Sequence, residues 1–333
     1  MEKWRQFKGV FAGCLATVII FSFLFQDIDA KKFLPILLNV NFQLFLVTVG
    51  WSLFINIIVG VYMSQGILRM LGLNLPFREV LLLRVGSSPV GAAFPFKIGE
   101  ISRPAYLNRI HDLPYNKGIT YLILDWGGKT IALFLILYIG ILLYPLKLNF
   151  FEAMTALSAA LIVLVMTVLF FCRKKTLGDE RVYSKENVKN KIEKAIYDFI
   201  SNFQKLSPEE AFFILGFSSI KIFGELLSFF LLAEALGLSI PPQAMFYFFP
   251  MINIIARLPV GIQGLGPREA AVVVFFIGFA EKIKLLNWGI LYSLVEYVLP
   301  LLPGFVLLPL FLKKYLTLSS KHNFLDRYSP LSE

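Results

Sequence analysis

The chain has 333 residues and a formal net charge of +10, and it is 57% hydrophobic with only 16% charged residues. A soluble domain carries about a quarter charged residues, so this balance, with a mean hydropathy of +0.71, excludes an ordinary soluble enzyme. The positive excess sits mostly in short loops beside long apolar runs, which is the positive-inside signature and not that of a nucleic-acid binder. Runs approaching the ~20 residues needed to cross a bilayer must be helices, because backbone in lipid has to satisfy its own hydrogen bonds. Cys14 and Cys172 both lie in apolar runs and build no disulfide framework.

Met1 to Lys8 is basic and precedes an apolar run from Val10 to Phe25. A cleaved signal peptide is the competing reading. The run ends in Asp27-Ile28-Asp29-Ala30, which lacks the small residue at −3, so a retained first helix that starts inside is expected. A second helix is expected over Phe42 to Met63, followed by a basic stretch with Arg69 and Arg78. Glu79 to Phe96 is apolar but cut by Gly86-Ser87-Ser88-Pro89-Val90-Gly91. Proline and glycine disrupt helices, so this segment reads as a re-entrant hairpin and not a span. Lys97, Arg103, Arg109 and Lys117 follow and keep the chain inside.

Thr120 to Tyr144 is expected to cross outward and Ala153 to Cys172 to cross back, with Arg173-Lys174-Lys175 marking the inside. In the loop that follows, Val188, Ile192, Ala195, Ile196, Phe199, Ile200 and Phe203 share one helical face, opposite Lys189, Lys191, Lys194 and Asp198. Such a helix lies in the interface plane; a partner-docking or solvated helix is the alternative. Ser207-Pro208-Glu209-Glu210 combines an N-cap, a proline at N1 and acids in the first turn, and opens a helix to about Leu236. After Pro241-Pro242, Ala244 to Ile255 and Ala270 to Ala280 are each short for a span, with Pro259, Gly261, Gly264, Gly266 and Pro267 between them. A second re-entrant hairpin, entering from outside, is expected; two full spans would leave the same topology. Trp288 to Leu312 then crosses back, and Lys313-Lys314 holds the C-terminus inside.

Charges within the hydrocarbon are costly and invite a functional reading. Lys97, Glu100 and Arg103 follow the first break, where free backbone N–H groups and arginine favour an anion such as phosphate. Arg257, Arg268 and Glu269 bracket the glycine-rich second break. Pro89-Val90-Gly91 before Gly99-Glu100 echoes Pro259-Val260-Gly261 before Arg268-Glu269, and paired interrupted segments point to a transporter-like site. Asp125 with Lys129, and Lys221 with Glu225, are spaced four apart and can neutralise themselves. Glu296 lies in the last span without a local partner and could pair with one of the arginines. Asn56 and Asn253 read as interhelical hydrogen-bonding glue. The two histidines, His111 and His322, lie in basic loops, and no nucleophile motif or metal cluster stands out. Asp27 and Asp29 form the one acid pair that could hold a divalent metal and a phosphate; a solvated loop is the plainer reading.

Pro95, Gly99, Glu100 and Arg103, together with Leu258-Pro259, Gly264-Leu265-Gly266 and Arg268-Glu269-Ala270, resemble two signatures of one family. It is the flippase-like membrane domain of the lysylphosphatidylglycerol synthases, which also occurs as a stand-alone membrane protein. The resemblance runs from the first helix to the last span. It implies a helical bundle that moves or handles lipid headgroups. The full synthase adds a soluble aminoacyl-transferase domain; this chain ends about twenty residues after its last span, so lysyl transfer is not expected.

The expectation is an all-α, polytopic membrane helix bundle of about six to eight spans with two re-entrant hairpins. Residues 1–315 form one membrane domain, with residues 173–207 as a cytoplasmic loop and 316–333 as a tail in a cell membrane protein whose termini are both cytoplasmic. The leading functional reading is a lipid or lipid-linked-intermediate flippase without a cofactor. Arg103, Arg257 and Arg268 would hold an anionic headgroup or lipid-linked phosphate. Glu100, Glu269 and Glu296 would balance them in the empty state and could carry protons. The alternatives are a membrane-embedded glycosyl or phospho transferase resting on Asp27 and Asp29, and a non-catalytic partner of a lipid or glycan synthase. A synthase or a second copy of the chain is the protein partner to expect.

Overall fold

A computed structural model describes residues 17–26, 35–36, 38–93, 100–143, 206–257 and 264–328. The expected span at 153–172, the amphipathic helix at 188–203, Asp27, Asp29, Pro95, Lys97, Gly99 and Pro259 lie outside the described residues. Within the described residues every regular element is a helix, and four of them are long and apolar enough to cross a membrane: Phe42–Met70, Tyr115–Ile141, Pro208–Ala235 and Lys282–Leu316. They match four of the spans read from the sequence.

Residues 17–25 are helical. The first complete span is α1 (Phe42–Leu53) and α2 (Gly60–Met70), joined through a π-helical turn, Phe54–Val59. Asn41 caps α1 by accepting the Leu44 N–H at 3.2 Å. The segment expected to be re-entrant follows as short helices: α3 (Phe77–Leu81), a second π turn (Leu82–Gly86), α4 (Ser88–Ala93) and α5 (Ser102–His111). Gly86 to Gly91 therefore does not end the helix. The chain pauses at Ser87 and α4 restarts with Pro89 in its first turn, where a missing N–H costs nothing.

The long span α6 (Tyr115–Leu143) leads to α7 (Pro208–Ala235), whose N-terminus is the capping box expected at Ser207 and Glu210. Next come α8 (Pro242–Ile255) and α9 (Pro267–Phe276). At 14 and 10 residues they reach about 21 and 15 Å, against a hydrocarbon core of about 30 Å. Neither is long enough to span alone, and they pack on each other. The last span is α10 (Lys282–Ser293), a third π turn (Leu294–Val298) and α11 (Leu301–Tyr328), which continues as helix through most of the expected tail.

Aromatic packing makes a platform of the second hairpin. Phe229 of α7 stacks on Trp288 of α10 with centroids 4.0 Å apart, and Phe249 and Phe276 close around them. The Trp288 indole donates to the Phe229 carbonyl at 2.9 Å, so its polar edge is satisfied in the core. A second apolar cluster, which includes the Tyr106–Phe311 stack at 4.8 Å, joins α2, α5 and α6 to α11. Between these two clusters lies the polar interior.

Candidate functional site

The three π turns among the described residues open on the same place. Asn56 and Ile57 from the first, Arg84 and Val85 from the second, and Glu296 and Tyr297 from the third all line one cavity of about 230 Å³. An extra residue in a helical turn rotates the side chains around it, which is why such bulges recur at functional sites. The charged residues of the spans arrive there too: Asp125 and Lys129 from α6, and Lys221 from α7, sit near the middle of their helices. Among the described residues, six cations line the cavity (Arg84, Arg103, Lys129, Lys221, Arg257 and Arg268) against four acids (Glu100, Asp125, Glu225 and Glu296).

The charges fall into linked groups. Asp125, almost fully buried, takes Arg84 Nη1 at 3.1 Å on one oxygen and Lys129 Nζ at 2.5 Å on the other. Two cations on one carboxylate leave a positive surplus beside the void. Arg84 Nη1 also donates to Ser64 Oγ at 2.7 Å. Gly60 makes room for this guanidinium: a Cβ there would lie 2.7 Å from Arg84 Nε. The helical spacing of Asp125 and Lys129 announced their pairing. Arg84 was missed because Glu79 to Phe96 reads as an apolar run; the available signal was an arginine inside a segment assigned to membrane depth.

The second group is a relay. Lys221 Nζ pairs with Glu225 Oε1 at 2.9 Å and donates to Asn56 Oδ1 at 2.6 Å. Asn56 Nδ2 in turn donates to Glu296 Oε2 at 2.8 Å. Glu296 is thus held by an amide and not by an arginine. Asn56 is the interhelical glue expected of it. Asn253 is as well, accepting from the Tyr297 hydroxyl at 3.3 Å.

At the first break, Arg103 Nη1 lies 3.5 Å from Glu100 Oε2, and Arg103 Nε donates to Ser87 Oγ at 3.1 Å. The Trp126 indole donates to Glu100 Oε2 at 2.8 Å and so ties the return of the hairpin to α6. At the second break, Arg257 Nη1 donates to Thr130 Oγ1 at 2.5 Å. Arg268 lies over the Tyr297 ring, 3.6 Å from its centroid, and donates to Ser293 Oγ at 2.9 Å. Ser293 passes that bond on to Glu269 Oε1. Glu269 Oε2 accepts the Gly266 N–H at 2.6 Å and caps α9. Glu269 thus stands behind Arg268, fully buried, and is not among the residues that line the cavity.

Gly264 and Gly266 both adopt positive φ, 79° and 93°, which a side chain would strain. Gly264 also has the Ala256 carbonyl where a Cβ would stand. The glycines of the second motif are therefore what turns the chain tightly enough to aim Arg268 inward. Among the described residues, no group of three or more His, Cys, Asp and Glu could hold a metal ion.

The family model described as "Lysylphosphatidylglycerol synthase TM region" matches residues 10–304. That is nearly the whole chain, which belongs to this family and is a membrane protein linked to lipid metabolism or transport. Comparison with curated proteins finds no match to the chain.

Proposed function

We propose that this member of the family binds the anionic headgroup of a membrane lipid, or of a lipid-linked intermediate, in the central cavity and carries it across the bilayer. The observation that carries the reading is the convergence of charges from the mid-span helices and from both interrupted segments on one void. Substrate sites in transporters lie near the membrane midplane, between broken helices, for the same reason: only there can irregular backbone and charge be sheltered from lipid.

In this reading Arg103, Arg257 and Arg268 contact the headgroup. The Arg84–Asp125–Lys129 group supplies a standing positive field at low dielectric, where it acts strongly. Glu100 and Glu269 hold Arg103 and Arg268 in place, directly in one case and through Ser293 in the other. The lysines and arginines of the loops orient both termini toward the cytoplasm of a cell membrane.

The test is movement of a fluorescent phosphatidylglycerol analogue between leaflets of vesicles containing the purified protein. Arg103→Ala and Arg268→Ala should each slow movement about tenfold or more, the scale of one lost charge-assisted hydrogen bond. A rate unchanged in both variants would remove the site assignment.

A further inference from the structure

Three acids near the cavity differ in what holds them. Glu100 carries Arg103 and the Trp126 indole. Glu269 caps its own helix through Gly266 and accepts from Ser293, so both of its oxygens serve the fold. Glu296 has neither duty. It is 5% exposed, Oε2 accepts from the Asn56 amide, the Ser228 hydroxyl of α7 lies beside the carboxylate, and the buried Oε1 makes no hydrogen bond of ordinary geometry. The remaining cavity acids, Asp125 and Glu225, each hold a cation at 3.1 Å or less. Glu296 is thus the cavity acid without a cation at ion-pair distance among the described residues.

We infer that Glu296 is the proton site of the cavity, taking up one proton as the headgroup binds and releasing it as the headgroup leaves. This rests on the reading of the cavity as an anion site. An anion arriving beside an ionised, unpaired carboxylate is repelled. A proton on Oε1 removes that charge and leaves the Asn56 bond to Oε2 intact. No covalent bond other than O–H forms or breaks.

The surroundings fit a site that changes charge while its neighbours stay fixed. From α7, Lys221 and Glu225 face the cavity already paired with each other. From α9, Arg268 lies on Tyr297 and is tied to Ser293. Tyr292 and Tyr297 flank Glu296 on its own span, Asn56 holds it from the first span while Ser52 donates to the Val295 carbonyl next to it, and Arg84 from the re-entrant segment is committed to Asp125. Asn56 can report the change, because its carbonyl holds Lys221 while its amide holds Glu296.

The experiment measures binding of glycerophosphoglycerol to the purified protein by calorimetry in buffers of different ionisation heat, between about pH 5 and pH 8. This water-soluble phosphodiester keeps its own charge constant over that range. The wild type should take up close to one proton per bound ligand, with affinity falling up to about tenfold per pH unit as pH rises past the titration of Glu296. Glu296→Gln, which keeps the bond from Asn56, should bind with no proton uptake and a flat pH profile, and Glu296→Asp should keep the uptake. In vesicles, a pH gradient should change the rate of lipid movement by the wild type and by Glu296→Asp but not by Glu296→Gln. Binding with unchanged proton uptake in a folded Glu296→Gln overturns the inference alone. Absence of both ligand binding and lipid movement in the wild type overturns it together with the anion-site reading.

Discussion

Two clusters of charge in this molecule use the same residue types to different ends. In the cavity, Asp125 is enclosed with Arg84 and Lys129, and the group keeps a positive surplus next to empty space. At the foot of the re-entrant segment, Glu79 accepts from the Tyr106 hydroxyl at 2.7 Å, lies 3.1 Å from His111 Nε2 and takes Lys314 Nζ at 2.5 Å. That second cluster joins α3, α5 and α11 and does not line the central cavity. A carboxylate saturated with donors and partly open to solvent is a staple. A carboxylate overloaded with cations beside a void is a site prepared for another anion.

The largest effect should follow from breaking the first cluster. Asp125→Ala leaves two buried cations without their counter-charge, and removing one partner of such a group costs about 3–5 kcal/mol. Thermal unfolding in detergent should show this as a large loss, or as failure to accumulate folded protein. Addition of a multivalent anion should restore part of it if the surplus charge faces the cavity.

Gly60→Ala tests the placement of Arg84 with less damage. The new methyl group must push the guanidinium aside, and overpacking of this kind costs about 1–3 kcal/mol. Lipid movement should fall well below what that stability loss explains, whereas a purely structural Arg84 would leave the rate of the folded fraction unchanged.

The foot of the hairpin should answer to pH instead. Burial pushes the Glu79 carboxyl up, but the bonds from Lys314, Tyr106 and His111 outweigh it and hold the group below its usual value of 4.5. A depressed folded value means that the stabilisation is complete above the unfolded value and is lost as pH falls through the folded one. Unfolding midpoints should therefore drop on acidification below about pH 4.5 in the wild type. In Glu79→Gln that part of the pH dependence should be missing, with a loss near neutral pH of about 1 kcal/mol, since Lys314 is partly solvated. Smallest of all, Arg109→Ala removes a guanidinium lying 4.4 Å over the Tyr315 ring and should cost about 0.5–1 kcal/mol without altering lipid movement.

Much of the fold was legible in the chain because membrane crossing is a local property. The span at Phe42, the capping box at Ser207 and the short lengths of α8 and α9 could each be read from a window of some twenty residues. The pause at Ser87 falls within the interruption read at Gly86 to Gly91, but Pro89 opens α4, and the sequence pattern alone does not distinguish a helix-starting proline from a helix-ending one. Of the candidate site, Arg103, Arg257 and Arg268 were found as charges at breaks. Arg84 was overlooked among leucines and valines, and Asn56 was read as glue without its link between Lys221 and Glu296.

Composition and periodicity by themselves determined that this is a polytopic helical membrane protein, and that part of its costly charge sits at interrupted segments. Both follow from the bilayer as solvent, which acts on each segment separately. Only the tertiary structure decided which charges meet. Asp125 holds Arg84 from 41 residues away, and Asn56 holds Glu296 from 240 residues away. Such pairings depend on how the helices are rotated, and here three π turns set that rotation where the cavity opens.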